Sequence, residues 1–251
     1  MLAEPSDPSS NRYVVVLESP KGLETMDLSR RLRELDQPMI IATSLDEVEH
    51  LVGAQDPLIG ALFIPSTFKA SDLEATLKRI RSTAPAPGVG FVSVGDALDK
   101  PERKKLRKVG VKLALWNPMS EPTLRFQLNR ALHADRNTFG ERDHARVPTQ
   151  FGCDVTLGGR TKEAEIYSLA TNGAFLSTKR ALMNGAHVEL EMRLPERHIR
   201  AFAEVMYANV PGNLQRPGLP LGMAVRFDNL TADDHAWLKS FVASRVEKME
   251  V

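Results

Sequence analysis

The sequence predicts two successive domains: an α/β domain with a parallel sheet, followed by an all-β antiparallel barrel that ends in an α-helix. Up to about residue 133, short apolar runs alternate with segments of helical period. Beyond residue 148, apolar and polar residues alternate with a period of two, which is typical of strands with one buried face. The chain has 251 residues, which is long enough for two small domains.

Composition excludes several classes of protein. Apolar residues make up 42% and charged residues 26% of the chain, as in globular rather than disordered or fibrous proteins. The net charge is +1, so any affinity for an anion must come from a local cluster of basic residues. Residues 1–11 are expected to be disordered and lack the features of a signal peptide. No apolar stretch reaches the length of a membrane helix, and a cytoplasmic location is therefore expected.

The first domain is predicted at residues 12–133 and contains five strands. The apolar runs have the length and composition of strands buried on both faces. In order, they are residues 13–17, 38–42, 58–64, 89–94 and 111–116. Five β-α repeats with short links predict right-handed crossovers and a parallel sheet with helices on both faces.

The helices between these strands have recognisable ends. Ser44 with Glu47, and Ser71 with Glu74, have the spacing of a capping box, in which each side chain satisfies a backbone donor of the other residue. The fourth helix is expected to have Pro101 in its first turn and to stop at a left-handed Gly110. A fifth helix is expected to start near Ser120.

Residues 134–148 are predicted to be a linker or an extended arm. The segment has little apolar content, and its Val147-Pro148 step disfavours helix.

The second domain is predicted at residues 149–251. Alternation places Phe151, Cys153, Val155 and Leu157 on one face of its first strand. Further alternating runs and Gly-rich links predict a small antiparallel barrel. A last helix is expected to open at Thr231 and to plug or flank the barrel.

The first domain resembles the receiver domain of response regulators. Its five β-α units end in a strand followed by Asn117-Pro118. The resemblance implies a flavodoxin-like (βα)5 fold and a phosphorylation site where strands one and three end. Receivers use an aspartate on strand three, acidic residues after strand one that bind Mg²⁺, and a lysine after strand five.

This sequence departs from that pattern. Phe63 and Ile64 surround the phosphoacceptor position, Glu18 is the sole acidic residue directly after strand one, and Asn117 stands at the lysine position. Ser93 matches the Ser/Thr position on strand four. A receiver fold without its phosphoacceptor is expected to serve as a docking or dimerisation platform, so a homodimer through this domain is one expected partner arrangement.

Two interpretations stay open for the basic fourth helix. Its cations form a solvated helix face or a contact surface for an acidic partner. They are Lys100, Arg103, Lys104, Lys105, Arg107 and Lys108.

Three segments of residues 140–247 together resemble a PilZ domain. The first runs from Arg142 to Arg146, the second from Ser168 to Gly173, and the third is Gly222-Met-Ala-Val-Arg-Phe227 before the last helix. The resemblance implies a six-stranded barrel that binds cyclic di-GMP through an RxxxR arm and a [D/N]xSxxG strand motif.

The arm fits the chemistry of that ligand. A guanidinium can form two parallel hydrogen bonds with phosphate oxygens or with guanine O6 and N7. Arg142 and Arg146 match both arginines of the family. The alternative is that these arginines form ion pairs with Glu141, Asp143 or the first domain.

The second motif is incomplete. Ser168 stands where the family has Asp or Asn and Ala170 where it has Ser, whereas Gly173 is retained. A charge-assisted bond contributes roughly 1.5 to 3 kcal/mol and a hydroxyl about 1 kcal/mol. Losing both predicts roughly 10²- to 10³-fold weaker binding of cyclic di-GMP.

No enzyme motif was found. Glycine-rich phosphate loops and nucleophile elbows are absent after the predicted strands, and the six histidines lack the spacing of metal ligands. Cys153, on an alternating strand, is interpreted as a small buried residue rather than a nucleophile. No catalytic residue, metal or cofactor is therefore expected.

These patterns predict a non-enzymatic bacterial signalling adaptor that binds protein partners, in a pathway linked to cyclic di-GMP that controls motility, surface behaviour or polysaccharide output. The alternative is a true cyclic di-GMP effector, in which Arg142 and Arg146 bind the nucleotide and the domains rearrange. A DNA-binding regulator is disfavoured because no helix-turn-helix follows the basic helix.

Overall fold

The computed structural model describes residues 12–18, 23–84, 88–133, 144–215 and 219–251. The predicted disorder of residues 1–11, and the position of Arg142, lie outside these ranges. The chain divides into two compact units: Met1–Gly140 together with Lys248–Val251, and Glu141–Glu247.

The first unit alternates strands and helices. Its elements are β1 (Tyr13–Leu17), α1 (Leu23–Glu34), β2 (Met39–Ala42), α2 (Leu45–Ala54), β3 (Ile59–Pro65), α3 (Ala70–Thr83), β4 (Gly90–Gly95), α4 (Lys100–Lys108), β5 (Leu113–Trp116) and α5 (Glu121–Leu132). All described strand pairs within this sheet are parallel, in the order β2-β1-β3-β4-β5. This is the flavodoxin-like order, which confirms the predicted fold.

Each face of this sheet has its own apolar core. Val15, Leu62 and Ile64 contribute to one cluster, which is covered by helices α2, α3 and α4. Val14 and Phe63 contribute to the other, together with residues of α1 and α5. Consecutive strand residues are thus buried on opposite sides, as the continuous apolar runs predict.

The helix starts were predicted with mixed success. Ser44 caps α2, since its Oγ accepts from the Glu47 amide at 3.2 Å. The Glu47 carboxylate, however, accepts from the backbone amide of Thr43 rather than from that of Ser44. The capping box at Ser71 was wrong: Lys69 precedes α3 without a side-chain cap, and Ser71 lies within the first turn. The helix starts earlier than predicted, and the Ser71 hydroxyl donates to the Asp72 carboxylate at 3.0 Å instead of capping the helix.

The other two helix starts behave as predicted. Pro101 lies in the first turn of α4, where Asp99 provides the cap, and Gly110 follows that helix with a φ of 88°. Ser120 caps α5.

After the last helix the chain returns to the first unit. Glu250 forms an antiparallel bridge with Leu113, at the edge of the sheet formed by β5. The Ala114 amide donates to the carbonyl of Met249 at 3.0 Å, and the Val251 amide donates to that of Lys112 at 3.1 Å. The second domain predicted at residues 149–251 includes this tail, whereas Lys248–Val251 belong to the first unit.

The second unit is an antiparallel barrel with one helix. Its elements are β6 (Arg146–Leu157), β7 (Arg160–Ala170), β8 (Gly173–Ser177), β9 (His187–Leu194), β10 (Arg197–Val210), β11 (Asn213–Leu214), β12 (Gly222–Asn229) and α6 (Ala232–Val246). Six strands close through the pairings β6-β7-β8-β12-β10-β9-β6. The two-residue strand β11 pairs antiparallel with the end of β10. The six-stranded barrel is therefore confirmed.

Helix α6 flanks the barrel along β6 and β7. Thr231 caps it by accepting from the Asp234 amide at 3.1 Å. On the side facing β6, the Phe151 and Phe241 rings lie 6.1 Å apart, and the Arg245 guanidinium lies 4.5 Å from the Phe241 ring centre. Within the described residues, no helix is long and apolar enough to span a membrane.

The first strand of the barrel begins before the predicted end of the arm at residue 148. Strand β6 begins at Arg146, and Val147 and Pro148 are buried within it. The Val147-Pro148 step excludes helix but not strand, because the residue before a proline favours extended backbone. Composition alone therefore could not separate the arm from the first strand.

Candidate functional site

The first candidate site is the carboxyl edge of the parallel sheet, where β1, β4 and β5 all end. Glu18 follows β1 and Asn117 follows β5, and both are exposed. The Asn117 amide nitrogen lies 3.3 Å from a carboxylate oxygen of Asp96, which follows β4. Asp96 is not among the predicted site residues, although its position directly after a strand is a usable signal.

Apolar side chains fill the position of a phosphoacceptor on β3. Phe63 and Ile64 are each 1% exposed and belong to the cores on opposite sides of the sheet. Beside Ile64 on β4, Ser93 is also 1% exposed, and its hydroxyl has no hydrogen-bond partner among the described residues. This edge thus has no carboxylate on β3 that could accept a phosphoryl group.

The described residues also lack a metal centre. No group of three His, Cys, Asp or Glu side chains in the described ranges could hold a metal ion. Glu18 and Asp96 are the carboxylates placed after strands at this edge, and they follow β1 and β4.

The second candidate site surrounds the turn between β7 and β8. Arg146 lies directly opposite Ala170 on the neighbouring strand. Just before it in the chain, the His144 ring nitrogen Nδ1 lies 3.1 Å from the hydroxyl oxygen of Thr171 in the turn. The structure therefore brings the second arm arginine to the strand motif. His144 belongs to the predicted arm, but nothing in its spacing identified this contact.

The two substituted positions of the strand motif are buried. Ser168 is 2% exposed and lies opposite Pro148 on β6 and Phe175 on β8. Ala170 is fully buried. These positions present almost no surface to a ligand, and neither side chain carries a carboxylate that could accept from guanine.

The glycine of the motif has a structural role of its own. A Cβ atom at Gly173 would lie 2.3 Å from the carbonyl oxygen of Val225 on β12. No real side chain tolerates that distance, so pairing of β8 with β12 requires glycine here. Gly173 is therefore explained by strand packing, whether or not a ligand binds.

Two other predicted features can be placed. In the basic helix α4, Lys105 pairs with Glu102 at 2.5 Å, and the Arg103 guanidinium lies 5.2 Å from the centre of the Trp116 ring.

Cys153 is fully buried in β6, and burial raises the pKa of its thiol to about 12. The thiolate needed by a nucleophile is therefore strongly disfavoured.

Among protein-family models, that of the PilZ domain matches residues 141–244. A search of curated proteins finds no match. Among solved structures, this chain is similar to the inhibitor of motility MotI/DgrA from Bacillus subtilis, with 17% identity, 44% of this chain and 53% of that chain covered, and a TM-score of 0.38. The match thus spans about half the length of MotI/DgrA.

Two further matches extend over most of the length of the solved structure. The PilZ domain of YcgR from Escherichia coli, solved with c-di-GMP, is 16% identical, with 43% of this chain and 93% of that chain covered and a TM-score of 0.34. The signal receiver domain of a modulated diguanylate cyclase from Desulfovibrio desulfuricans G20 is 17% identical, with 50% of this chain and 97% of that chain covered and a TM-score of 0.40.

Proposed function

Because residues 141–244 match the family model of the PilZ domain, we propose that this chain is a non-enzymatic signalling adaptor that acts by binding proteins in a bacterial pathway linked to cyclic di-GMP. Its own affinity for the nucleotide is weak or lost. The pathway controls motility, surface behaviour or polysaccharide output, and the protein works in the cytoplasm.

The burial of Ser168 and Ala170 carries this proposal. In the family motif these positions supply acceptors to guanine, but here they are 2% and 0% exposed and carry no carboxylate. Each lost acceptor weakens binding, and a buried strand surface offers no replacement. The retained Gly173 does not argue for a ligand, since the barrel needs it for strand pairing.

The first unit supports the same proposal. A switch driven by phosphorylation needs an acceptor aspartate, whereas Phe63 and Ile64 occupy that position as core residues. The sheet and its helices then remain as a surface for a protein partner or for a second copy of the chain. Both arrangements transmit a signal through contacts rather than chemistry.

Calorimetric titration of the purified protein with cyclic di-GMP tests the proposal. We expect no saturable binding in the micromolar range. Saturable micromolar binding that is lost in Arg146→Ala and retained in Arg200→Ala would overturn the adaptor proposal. Arg200 is a suitable control because it lies on β10, away from the arm, and its side chain is 74% exposed.

Restoring the missing acceptors provides a second test. The double variant Ser168→Asp with Ala170→Ser regains both acceptor groups, but Ser168 is 2% and Ala170 0% exposed. We therefore expect it to bind cyclic di-GMP no more tightly than the natural chain. The variant's circular dichroism spectrum must match that of the natural chain. A folded variant that binds roughly 10²- to 10³-fold more tightly would show that the two substitutions, and not the burial of these positions, cause the weak binding.

The alternative function is that of a genuine cyclic di-GMP effector. One observation favours it: Arg146 lies opposite Ala170, and His144 reaches the turn at Thr171, so the described end of the arm already lies at the strand motif. In this alternative, Arg142 and Arg146 bind the nucleotide and the two domains rearrange. The titration described above separates the two functions.

A further inference from the structure

The barrel contains a cavity far from the arm. It has a volume of about 410 Å³ and lies beside the hairpin that joins β6 to β7. Its apolar lining includes Val155, Ala164, Leu182 and Met223. This volume falls in the range of small-molecule sites, which occur in the mouths of β-barrels.

The register of the hairpin turns two cations towards this cavity. Val155 pairs with Lys162 and Leu157 pairs with Arg160 across the two strands. Directly opposed residues of an antiparallel pair lie on the same face of the sheet. Lys162 therefore shares the face of the buried Val155, and both cations line the cavity.

A third cation, Arg180, completes a basic rim from the segment after β8. Arg160, Lys162 and Arg180 are exposed, and within the described ranges none of them forms an ion pair with a carboxylate. The rim therefore carries uncompensated positive charge above an apolar floor.

The acidic residue that lines the cavity does not neutralise this rim. Glu163 pairs across the strands with Asp154, whose carboxylate binds Arg193 at 2.5 Å. The charge of Glu163 also helps to raise the pKa of Arg193. Since neighbouring residues of a strand point to opposite faces, the carboxylate of Glu163 lies on the side away from Lys162.

This cavity and the arm lie at opposite ends of β6. The strand runs from Arg146 at the arm to Leu157 at the cavity, a length of about 36 Å at the usual rise per residue. A ligand in the cavity therefore does not compete directly with one held at Arg146 and the turn between β7 and β8.

We propose that this cavity is a second binding site, for a small amphiphilic anion: an apolar body on the floor, with a carboxylate, sulfonate or phosphate group held by the rim. An apolar floor favours the apolar body, and guanidinium groups favour anionic oxygens. The combination selects against both neutral apolar molecules and simple inorganic anions.

The dye anilinonaphthalene sulfonate, which joins an aromatic body to a sulfonate, is a suitable probe. Titration of the folded protein is expected to show saturable binding to one site. Decanoate should displace the dye, whereas sodium sulfate at the same ionic strength and cyclic di-GMP should not. With protein whose methionine methyl groups are isotope-labelled, the NMR signal of Met223 should shift, and that of Met26 in the first unit should not.

Variants of the rim decide the proposal. The double variant Arg160→Gln with Lys162→Gln should weaken dye binding by roughly ten- to a hundredfold, since it removes two charge-assisted contacts. The matched double variant Arg200→Gln with Lys239→Gln removes the same charge elsewhere on the unit and should bind as the natural chain does. All four side chains are exposed, so both double variants are expected to fold as the natural chain does.

Filling the floor is an independent test. Ala164→Leu should abolish dye binding while circular dichroism stays unchanged; if it does not fold, the rim variants decide alone. Equal binding by the two double variants, or displacement by cyclic di-GMP, would overturn the second site. So would methyl shifts spread over both units.

Discussion

Gly173 shows how one residue can satisfy both a motif and a packing requirement. It belongs to the family's strand motif, yet a Cβ atom at this position would collide with the backbone of β12. Loss of function in a Gly173 variant therefore cannot be assigned to loss of a ligand contact until the stability of the barrel has been measured.

Gly173→Ala is expected to lower the free energy of unfolding of the second unit by roughly 1 to 3 kcal/mol, because β8 and β12 must move apart. Urea unfolding measures this change. Gly152→Ala on β6 is the matched control, since the added methyl would meet mainly the guanidinium of the exposed Arg193, which can move. Equal stability of the two variants would contradict the packing role.

Asp234 joins the cap of α6 to the barrel. Its carboxylate accepts from the Thr231 hydroxyl at 2.7 Å and from Arg197 of β10 at 2.7 Å. The hydrogen bond from Thr231 and then the contact with Arg197 lower the pKa of Asp234 below its ordinary value of 3.8. The contribution of this carboxylate to stability is therefore present above that value and lost as the pH falls through the lowered one.

Asp234→Asn is expected to cost about 1 to 2 kcal/mol of stability at neutral pH. The difference from the natural chain should begin to shrink as the pH falls below about 4, where the carboxylate of the unfolded chain takes up a proton, and should disappear once the pH has fallen through the lowered pKa of the folded state. Urea unfolding at a series of pH values measures it, with Asp233→Asn as the neighbouring exposed control. A difference independent of pH would show that the charge of Asp234 does not matter.

At the scale of elements, the C-terminal tail completes the parallel sheet. An edge strand such as β5 presents unpaired backbone groups, and the tail binds them through Met249 and Val251. Both side chains are buried, and the fully buried Gln127 side chain donates to the Met249 carbonyl at 2.5 Å. The tail thus acts as a short antiparallel addition to a sheet that is otherwise parallel.

Deletion of residues 249–251 is expected to destabilise the first unit by about 3 kcal/mol, because two apolar side chains lose their burial. Hydrogen exchange should accelerate at the Ala114 amide, which loses its acceptor. Deletion of Val251 alone should leave that amide protected and cost less stability. Unchanged exchange at Ala114 in the longer deletion would contradict this role of the tail.

At the scale of the whole molecule, neither unit retains the full chemistry of the family that it resembles. The first unit has the flavodoxin-like strand order, but core residues occupy the acceptor position. The second closes the six-stranded barrel, but buried side chains occupy two positions of its ligand motif. In the proposed function, this molecule therefore acts through its surfaces rather than through phosphorylation.

Incubation with acetyl phosphate and Mg²⁺ is expected to leave the chain unphosphorylated, because β3 offers no aspartate. Intact-mass measurement checks this, with a receiver that has its aspartate as positive control. Mg²⁺ alone should not change the emission of Trp116, which ends β5 beside Asn117. A mass increase of one phosphoryl group on an aspartate of the first unit would contradict this expectation.

Local sequence patterns predicted the five β-α units, the alternating strands and the last helix, together with the missing acceptor groups. Apolar runs, alternation, and the caps at Ser44, Ser120 and Thr231 depend on residues close together in the chain. The same pattern was misleading at Ser71, where the helix already starts at Ala70 and the hydroxyl donates to the Asp72 carboxylate.

Only the tertiary structure decided that Ser168 and Ala170 are buried, that Lys162 shares a face with Val155, and that the tail lies beside β5. Each of these facts depends on strand register, barrel closure or pairing between segments distant in sequence. A local pattern specifies that a strand forms, whereas contacts with remote segments specify which strand it meets and what surface remains exposed.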